Sequence, residues 1–298
     1  MAKNVEITLE ANPTSSEAES FSLFREAGIN RLSLGIQSLD NTSLIFLGRD
    51  HNVAESINAL ELARTIFPRI SFDIIYARSN QTIKSWKLEL MNALALASGH
   101  ISLYQLTIEK GTVFYSKLHK GKITLPNENL SAKFFQVTQQ MTLTAGYRSY
   151  EISNYAKPGD ACTHNLSYWR YNDFLGIGPG AHSRIQNGSK GTFAFSQHTA
   201  PNNWLKAVEK SGHGTHGSQC LTNVQSAQEM LMMGLRLQAG VDLKRFSGRT
   251  GLTLTDATRK NALERLNMGG FLVQDQGNLR TTDKGRAVLN SLLAELLM

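Results

Sequence analysis

Arg31-Leu32-Ser33-Leu34-Gly35-Ile36-Gln37 decides the fold of this chain, because leucine and isoleucine alternate there with small and polar residues. Such alternation is typical of a β-strand whose two faces meet different surroundings. The same pattern occurs in residues 5–10, 70–76 and 101–108, and apolar residues at helical spacing separate these segments. Strands that alternate with helices through short loops predict a parallel sheet with right-handed crossovers.

Each predicted strand carries polar residues at alternate positions. The sets are Glu6, Thr8 and Glu10; Ser33, Gly35 and Gln37; Ser71 and Asp73; and Gln105, Thr107 and Glu109. A parallel sheet covered by helices on both faces would be apolar on both, whereas an incompletely closed barrel keeps a polar interior around a ligand. We therefore predict a partial barrel with its site at the carboxyl ends of the strands. The alternative is that these residues only satisfy one another.

Composition sets the class of protein. The 298 residues carry 31 Lys and Arg against 24 Asp and Glu, a formal charge of +7, and 41% are hydrophobic. No apolar run approaches the ~20 residues of a membrane span. The two cysteines cannot form a disulfide framework, which favours a reducing, cytoplasmic location. The positive charge is spread thinly, so nucleic acid is not an expected partner.

The C-terminal part has a pattern of its own. Helices are predicted near residues 227–237, 243–250 and 257–268, followed by a hairpin over 271–280 and a helix from 282. Three helices and a hairpin indicate a winged-helix-like α+β module. We therefore predict two domains, a truncated barrel with its extension over residues 1–220 and this module over 221–298. Ten Lys and Arg against seven Asp and Glu in the module do not favour DNA binding.

Seven short motifs, in order, give the chain a family resemblance. They are Glu10-Ala11-Asn12-Pro13, Arg31-Leu32-Ser33-Leu34-Gly35-Ile36-Gln37-Ser38, Leu47-Gly48-Arg49-Asp50-His51, Asp73-Ile74-Ile75-Tyr76, Tyr104-Gln105-Leu106-Thr107-Ile108-Glu109, Tyr150-Glu151-Ile152-Ser153-Asn154-Tyr155-Ala156 and His164-Asn165-Leu166-Ser167-Tyr168-Trp169. The series resembles the HemW-type haem chaperones, which are related to oxygen-independent coproporphyrinogen III oxidase in the radical S-adenosylmethionine (SAM) superfamily. The His-Asn-x-x-Tyr-Trp motif separates the chaperones from the oxidases.

The same resemblance defines what the sequence lacks. Members of the family begin with a strand leading into Cys-x3-Cys-x2-Cys, which holds a [4Fe–4S] cluster, and a second strand ending in Gly-Gly-Gly-Thr-Pro. Neither element occurs in these residues, so we expect a radical-SAM-type barrel without its first two strands and without cluster cysteines. Ala77-Arg78-Ser79 also stands where the family usually has Gly-Leu-Pro.

Carried over position by position, the resemblance implies a set of SAM-binding residues. They are Glu10, Gln37, Arg49, Asp73 and Thr107. Their chemistry suits SAM, because a guanidinium binds a carboxylate, and carboxylates accept hydrogen bonds from an ammonium or ribose hydroxyls. Without the cluster and the glycine-rich loop, we expect this chain to bind SAM weakly or not at all.

His164 is the residue that the resemblance assigns to haem. An imidazole ligates haem iron, and the rings of Tyr168 and Trp169 are suited to lie against a flat macrocycle. The alternative is a loop histidine bonded to the backbone. We expect a cytoplasmic haem-binding protein that delivers haem to an acceptor protein, with peripheral membrane association and oligomerisation left open. The rival expectation is an enzyme, a coproporphyrinogen dehydrogenase-like oxidoreductase of porphyrin biosynthesis.

Overall fold

The computed structural model describes residues 5–14 and 18–297, apart from the side chain of Ser189. It divides into two compact units, residues 1–162 and residues 163–298. The predicted domain boundary at residue 220 marks the start of the C-terminal module, which lies within the second unit. This boundary stays a prediction. In the described part of the chain, no helix is both long enough and apolar enough to cross a membrane.

Unit 1 is built on a six-stranded sheet in the order β1-β2-β3-β4-β6-β5. Its elements are β1 (Thr8–Ala11), α1 (Phe21–Glu26), β2 (Arg31–Gln37), α2 (Asn41–Phe46), α3 (Val53–Ile66), β3 (Arg69–Tyr76), α4 (Ile83–Leu96), β4 (His100–Gln105), α5 (Val113–His119), α6 (Glu128–Thr144), β5 (Arg148–Ser149) and β6 (Asn154–Ala156). Strands β1 to β4 are parallel, and β6 and β5 add antiparallel pairs beyond β4.

Local chemistry explains where the crossover helices begin. Asn52 and Glu55 form a capping box at the start of α3, and Thr82 and Ser85 form another at the start of α4. Each box satisfies backbone N–H groups that the first helical turn leaves without a partner. Pro13-Thr14-Ser15-Ser16 is a sequence typical of a helix start, but residues 15–16 lie outside the described residues.

One face of the sheet carries the hydrophobic core. Leu32, Leu34 and Ile36 of β2 and Phe72 and Ile74 of β3 are buried there. The helices contribute aromatic residues, and the ring of Trp86 stacks on that of Tyr76 with centroids 4.8 Å apart. The alternation that defines these strands therefore arises because one face is covered by helices.

The sheet does not close into a barrel, which agrees with the predicted partial barrel. Strand β1 forms one edge and pairs only with β2 among the described residues. The predicted fourth strand, residues 101–108, is displaced, because β4 ends at Gln105. The sequence Tyr150-Glu151-Ile152-Ser153 predicts a short strand, but in the structure these residues connect β5 to β6.

Unit 2 contains two three-stranded sheets, β7-β8-β9 and β10-β12-β11. Its elements are α7 (Thr163–Trp169), β7 (His182–Gln186), β8 (Thr192–Gln197), α8 (Pro201–Ser211), β9 (Thr215–Cys220), α9 (Asn223–Gly234), β10 (Val241–Asp242), α10 (Leu243–Thr250), α11 (Leu254–Ala257), α12 (Ala262–Met268), β11 (Leu272–Asp275), β12 (Asn278–Thr281), α13 (Asp283–Ala287) and α14 (Leu289–Leu296), with a 3₁₀ turn at Gly188–Lys190.

The C-terminal elements include the predicted hairpin and helices, with two differences: the helix predicted over 257–268 begins only at Ala262, and the helix predicted from 282 is divided into α13 and α14. Strands β11 and β12 pair antiparallel through a turn in which Gln276 and Gly277 have φ of 47° and 80°. Two successive positive φ values suit the tight turn of a β-hairpin, where glycine carries no steric penalty.

Candidate functional site

The second face of the sheet in unit 1 is polar, and strand register brings its residues into rows. Glu10 lies opposite Ser33, and Ser33 lies opposite Ser71, with the two serine hydroxyls 3.0 Å apart. One step further along, Asp73 lies opposite Ser102 of β4. The predicted polar face is therefore continuous across the four parallel strands.

Asp73 is the electrostatic centre of this face. Burial raises the pKa of its carboxyl to about 6, although a hydrogen bond with Ser102 opposes the shift. The negative charge of Glu10 raises the pKa further, whereas the positive charge of Arg49 lowers it. Because both charges act on one carboxyl, the structure brings Glu10, Arg49 and Asp73 together, as their sequence assignment requires.

Gln37 reaches the same face through a backbone irregularity. The register between β2 and β3 shifts between Leu34 and Gln37, and Gln37 has a φ of 70°. Its side chain folds back over Gly35, where an added Cβ would lie only 2.9 Å from the amide nitrogen of Gln37. Glycine at position 35 thus makes room for the amide on the polar face.

Arg49 is held by the loop that follows α2. Gly48 has a φ of 72°, and the backbone N–H of Arg49 donates to Leu44 O. His51, buried two residues later, places its Nε2 3.1 Å from Ile36 O and ties the loop to β2. The Nε of Arg49 is buried without a hydrogen-bond partner in the described part of the chain. A guanidinium with an unsatisfied nitrogen fits a site for an anionic group.

Thr107 is not brought to the polar face by the strand register. It lies beyond the end of β4, it is exposed, and its hydroxyl donates to Gln105 O at 3.3 Å. The expected alternation of Gln105, Thr107 and Glu109 was wrong for this strand. The polar positions of β4 are instead His100, Ser102 and Tyr104, since Ile101 and Leu103 belong to the core.

Tyr104 and Asn154 are site residues that the sequence prediction missed. Burial and the negative charge of Asp73 raise the pKa of the Tyr104 hydroxyl, while hydrogen bonds with Ser102 and Asn154 lower it. Asn154 of β6 lies opposite Ser102 and donates to the buried carboxylate of Glu151 at 2.7 Å. Alternate positions counted from His100 would have included Tyr104. The antiparallel pairing of β6 with β4, which positions Asn154, leaves no local pattern in the sequence.

The loop after Asp73 shows what the departure from Gly-Leu-Pro does. Ala77 has a φ of 56°, a left-handed conformation that glycine adopts more easily. Arg78 is buried and pairs with Glu89 of α4 at 2.6 Å. Glu89 also accepts hydrogen bonds from Ser38 Oγ at 2.6 Å and from the backbone N–H of Leu39 at 2.9 Å. This carboxylate therefore fastens the ends of β2 and β3 to the same helix.

The donor set fits SAM, whereas no fit to a metal cluster is found. Arg49 offers a guanidinium for a carboxylate, Asp73 and Glu10 offer acceptors for an ammonium or ribose hydroxyls, and Gln37 offers an amide. Across residues 5–14 and 18–297, no group of three or more His, Cys, Asp and Glu side chains is placed to hold a metal ion. The described residues therefore provide no ligand set for an iron–sulfur cluster.

His164 lies in unit 2, at the second residue of α7, where it is exposed. Its ring meets that of Tyr168 edge to face, with centroids 4.7 Å apart and planes inclined at 74°. Tyr168 in turn packs against Phe174 with centroids 4.5 Å apart. The spacing of four residues places both side chains on one face of the helix, so an exposed imidazole adjoins an aromatic surface.

Trp169, the last residue of the same motif, has a different environment. The guanidinium of Arg236 lies 4.6 Å from the centre of its ring. Two residues further on, Tyr171 is buried, and its hydroxyl donates to Glu229 at 2.7 Å. These residues hold the end of α7 against α9, so the motif combines an exposed imidazole with a structural anchor.

Glu229 is the acceptor of a satisfied network. Arg184 donates to its two oxygens at 2.8 and 2.7 Å, in addition to the bond from Tyr171. Burial opposes ionisation of Glu229, but the bonds from Arg184 and Tyr171 prevail and its pKa is lowered. A bidentate pair with a third donor is a stable arrangement for a half-buried carboxylate.

Known protein families match both the N-terminal and the C-terminal part of the chain. A family model described as "Radical SAM superfamily" matches residues 1–88, and one described as "HemN C-terminal domain" matches residues 221–288. Over 298 residues the chain is 40% identical to the mouse "Radical S-adenosyl methionine domain-containing protein 1, mitochondrial", covering 98% of this chain and 67% of that protein.

Bacterial relatives carry a more specific name. "Heme chaperone HemW" of Haemophilus influenzae is 35% identical over 291 residues, covering 97% of this chain and 73% of the relative. The protein of the same name in Bacillus subtilis is 31% identical over 293 residues, covering 98% and 76%. Among solved structures, that described as "Coproporphyrinogen III oxidase (HemN) from Escherichia coli is a Radical SAM enzyme" aligns with a TM-score of 0.78 at 21% identity, covering 98% of this chain and 69% of that one. At that identity, the structural match shows a shared fold.

Proposed function

Because this chain belongs to the family of radical SAM proteins that includes the HemW haem chaperones, we propose that it binds haem through the imidazole of His164 and passes it to an acceptor protein. The observation that carries the proposal is the exposed His164 beside the ring of Tyr168. An imidazole can ligate haem iron, and the aromatic surface beside His164 is suited to support the macrocycle.

Several features of α7 support this role for His164. The edge-to-face contact with Tyr168 restricts the orientation of the imidazole, which lowers the entropy lost when the iron binds. The anchor formed by Trp169 and Tyr171 holds the end of the same helix. Haem that is bound at an exposed position can dissociate quickly enough to be passed on, because a fully enclosed haem would leave slowly.

The strand ends of unit 1 would serve SAM in this proposal. Arg49 would pair with the SAM carboxylate, Asp73 and Glu10 would accept from its ammonium or ribose, and Gln37 would hydrogen-bond the adenine edge. Bound together with a reduced cluster, SAM would supply a carbon radical, but the described residues offer that cluster no ligand set. With the four side chains alone we expect weak binding of SAM, since each 1.4 kcal/mol of lost contact weakens binding about tenfold.

The oxidase is the second candidate function. The shared fold with the coproporphyrinogen III oxidase structure and the HemN C-terminal domain match favour it. The chaperone is preferred because His164-Asn165-Leu166-Ser167-Tyr168-Trp169 carries the pattern typical of the chaperones. Only the oxidase would take coproporphyrinogen III as its substrate, so binding of this porphyrinogen to the purified protein, compared with binding of haem, separates the two without relying on turnover.

The location and the acceptor are also part of the proposal. A cytoplasmic protein remains our expectation, although relatives named mitochondrial are among the similar proteins. The haem acceptor would be a protein that takes haem from an exposed imidazole. Vesicle sedimentation with the purified protein tests peripheral association with a membrane. Light scattering from the same protein tests self-association.

A haem titration tests the proposal. Ferric haem is added to the full chain, and the visible absorption that reports imidazole ligation is followed to saturation. His164→Ala is expected to remove one equivalent of ligated haem, whereas His213→Ala, which changes another exposed histidine of unit 2, leaves the stoichiometry unchanged. Unfolding curves for the three proteins should coincide. An unchanged stoichiometry in His164→Ala would refute ligation by this residue.

A further inference from the structure

Two histidines of unit 2 form a pair that the proposed haem site does not include. His198 directly follows β8 and His216 lies in β9, and the centres of their rings are 4.6 Å apart with planes inclined at 47°. We propose that this pair is a binding site for a divalent transition-metal ion such as Zn²⁺ or Cu²⁺. The inference is independent of the proposed function, because it concerns residues outside the His-Asn-x-x-Tyr-Trp motif.

A bulge in the β7-β8-β9 sheet brings the two rings together. The register between β8 and β9 shifts between Ser196 and Gln197. Gln197 pairs with Thr215, so His216 is the extra residue of the bulge. In a regular ladder His216 would lie opposite Gln197 and share its face, whereas His198, the next residue along, would point to the other face. The bulge therefore joins two side chains that a regular ladder would keep apart.

The distance between the rings matches that of two ligands on one ion. An imidazole nitrogen lies about 2.1 Å from zinc, which puts the ring centre about 3.2 Å from the metal. Two imidazoles on one ion, at angles between square-planar and tetrahedral, then have ring centres about 4.5–5.2 Å apart. The 4.6 Å between the rings of His198 and His216 lies within this range. The pair therefore has the spacing of a two-nitrogen chelate.

The ring nitrogens of both residues are available to a metal. His198 is half-buried and His216 is exposed, and no hydrogen bond from residues 5–14 and 18–297 occupies a nitrogen of either ring. Imidazole nitrogens suit Zn²⁺ and Cu²⁺, whereas Mg²⁺ and Ca²⁺ take oxygen ligands. Water would complete the coordination, since no third His, Cys, Asp or Glu in the same part of the chain is placed to join the pair.

Backbone contacts hold the two histidines in position. The N–H of His198 donates to Gly214 O at 3.0 Å, and His198 O accepts from the N–H of Gly180 at 2.8 Å. A Cβ added to Gly214 would lie only 2.2 Å from Cδ1 of Trp204, so the indole packs directly on this backbone. The indole N–H of Trp204 also donates to Gln197 Oε1 at 3.2 Å. These contacts fix the end of β8 against the start of β9, and ligands on fixed backbone lose little freedom when a metal binds.

Metal titration of the full chain tests the site. Zn²⁺ is titrated by calorimetry into the EDTA-treated wild type, into His198→Gln, into His216→Gln and into the double variant. His213→Gln is the matched control, because it changes an exposed histidine three residues before His216. The electron paramagnetic resonance spectrum of one equivalent of Cu²⁺ counts the nitrogen ligands. Circular dichroism melts in EDTA establish that each protein is folded.

The wild type is expected to bind Zn²⁺ about tenfold or more tightly than either single variant, because each variant removes one arm of the chelate. The double variant should add less than about threefold to that loss, and His213→Gln should stay within about twofold of the wild type. The Cu²⁺ spectrum should show two nitrogen ligands in the wild type and at most one in each single variant.

The proposal is overturned if either single variant keeps the wild-type affinity, or if the two losses multiply in the double variant, because the histidines would then act independently. An equal loss in His213→Gln would also overturn it, since the ion would then bind in the loop before β9. If His198→Gln does not fold, His216→Gln decides alone, because His216 is exposed.

Discussion

Two carboxylates of this protein, Asp73 at the strand ends of unit 1 and Glu229 on α9 of unit 2, have pKa values that are shifted in opposite directions. Burial opposes the charge of both. Glu229 receives two bonds from Arg184 and one from Tyr171, and its pKa is lowered. Asp73 has a hydrogen bond with Ser102, a positive neighbour in Arg49 and a negative neighbour in Glu10, and burial prevails, so that its pKa is raised to about 6.

The difference separates structural polar networks from sites that await a ligand. A network whose charges and hydrogen bonds are complete stabilises the fold and has no capacity left. A cluster with a raised carboxyl pKa, and with an arginine Nε that has no hydrogen-bond partner among the described residues, costs stability. We propose that the strand ends of unit 1 belong to the second kind, whereas the pair of Arg184 and Glu229 belongs to the first.

Removal of Glu89 tests the comparison within unit 1 and should have the largest effect. Glu89 is buried and accepts hydrogen bonds from Arg78, Ser38 and the backbone of Leu39. Glu89→Ala leaves the Arg78 guanidinium buried without its ion-pair partner. The free energy of unfolding should therefore fall by about 4 kcal/mol. Urea denaturation measures it, with exposed Glu61→Ala as the control. If the free energy of unfolding fell by less than about 1 kcal/mol, Glu89 would not be a stabilising carboxylate, and its complete set of hydrogen bonds would not distinguish it from Asp73.

Glu229→Ala makes the same test in unit 2, where the pair is less buried. The variant leaves Arg184 and the Tyr171 hydroxyl without their acceptor, and we expect a loss of about 3 kcal/mol in the free energy of unfolding. Glu229→Gln keeps one acceptor oxygen and should lose less. Denaturation of the three proteins in urea ranks them, and equal stability of wild type and Glu229→Ala would contradict the structural role.

Asp73→Asn should act in the opposite direction. The folded state binds the Asp73 proton more tightly than the unfolded chain, so the wild type loses stability as pH rises from about 4 to about 6. The amide avoids this loss, and at pH 7 the variant should be more stable by about 1–2 kcal/mol. At pH 4 the two proteins should melt alike. A variant that is less stable at pH 7 would show that Asp73 is a structural partner.

Thr107→Ala should have the smallest effect. The side chain is exposed and lies outside β4, and its only described bond is to Gln105 O. We expect the free energy of unfolding to change by less than about 0.5 kcal/mol. Binding of SAM, measured by calorimetry against Gln37→Ala, should also be unchanged. A loss as large as that of Gln37→Ala would return Thr107 to the site.

The strands and the polar face of unit 1 could be predicted from sequence because they depend on local alternation. Glu10, Gln37 and Asp73 were placed by parity, and the structure brings them to one face. In β4 the polar face was assigned from Gln105, Thr107 and Glu109, and that assignment was wrong. The strand ends at Gln105, and polar residues continue in the loop that follows it.

The remaining features depend on contacts between distant parts of the chain. The bulge before Gln37 arises from pairing with β3, and the anchor of Tyr171 arises from Glu229, which lies 58 residues later. Neither leaves a periodic signal in the sequence. The split of the His-Asn-x-x-Tyr-Trp motif into an exposed imidazole and a structural anchor became visible only with these partners in place.

The claim that the strand ends form a ligand site is tested most directly by the titration of Asp73 itself. Carbon NMR of the Asp73 carboxyl, assigned with Asp73→Asn, gives its apparent pKa in the full chain without added ligand. We predict a midpoint near 6, and a lower midpoint in Glu10→Gln, where a negative neighbour is removed. A midpoint near the ordinary value of 3.8 would contradict the account, because Asp73 would then be a satisfied carboxylate like Glu229.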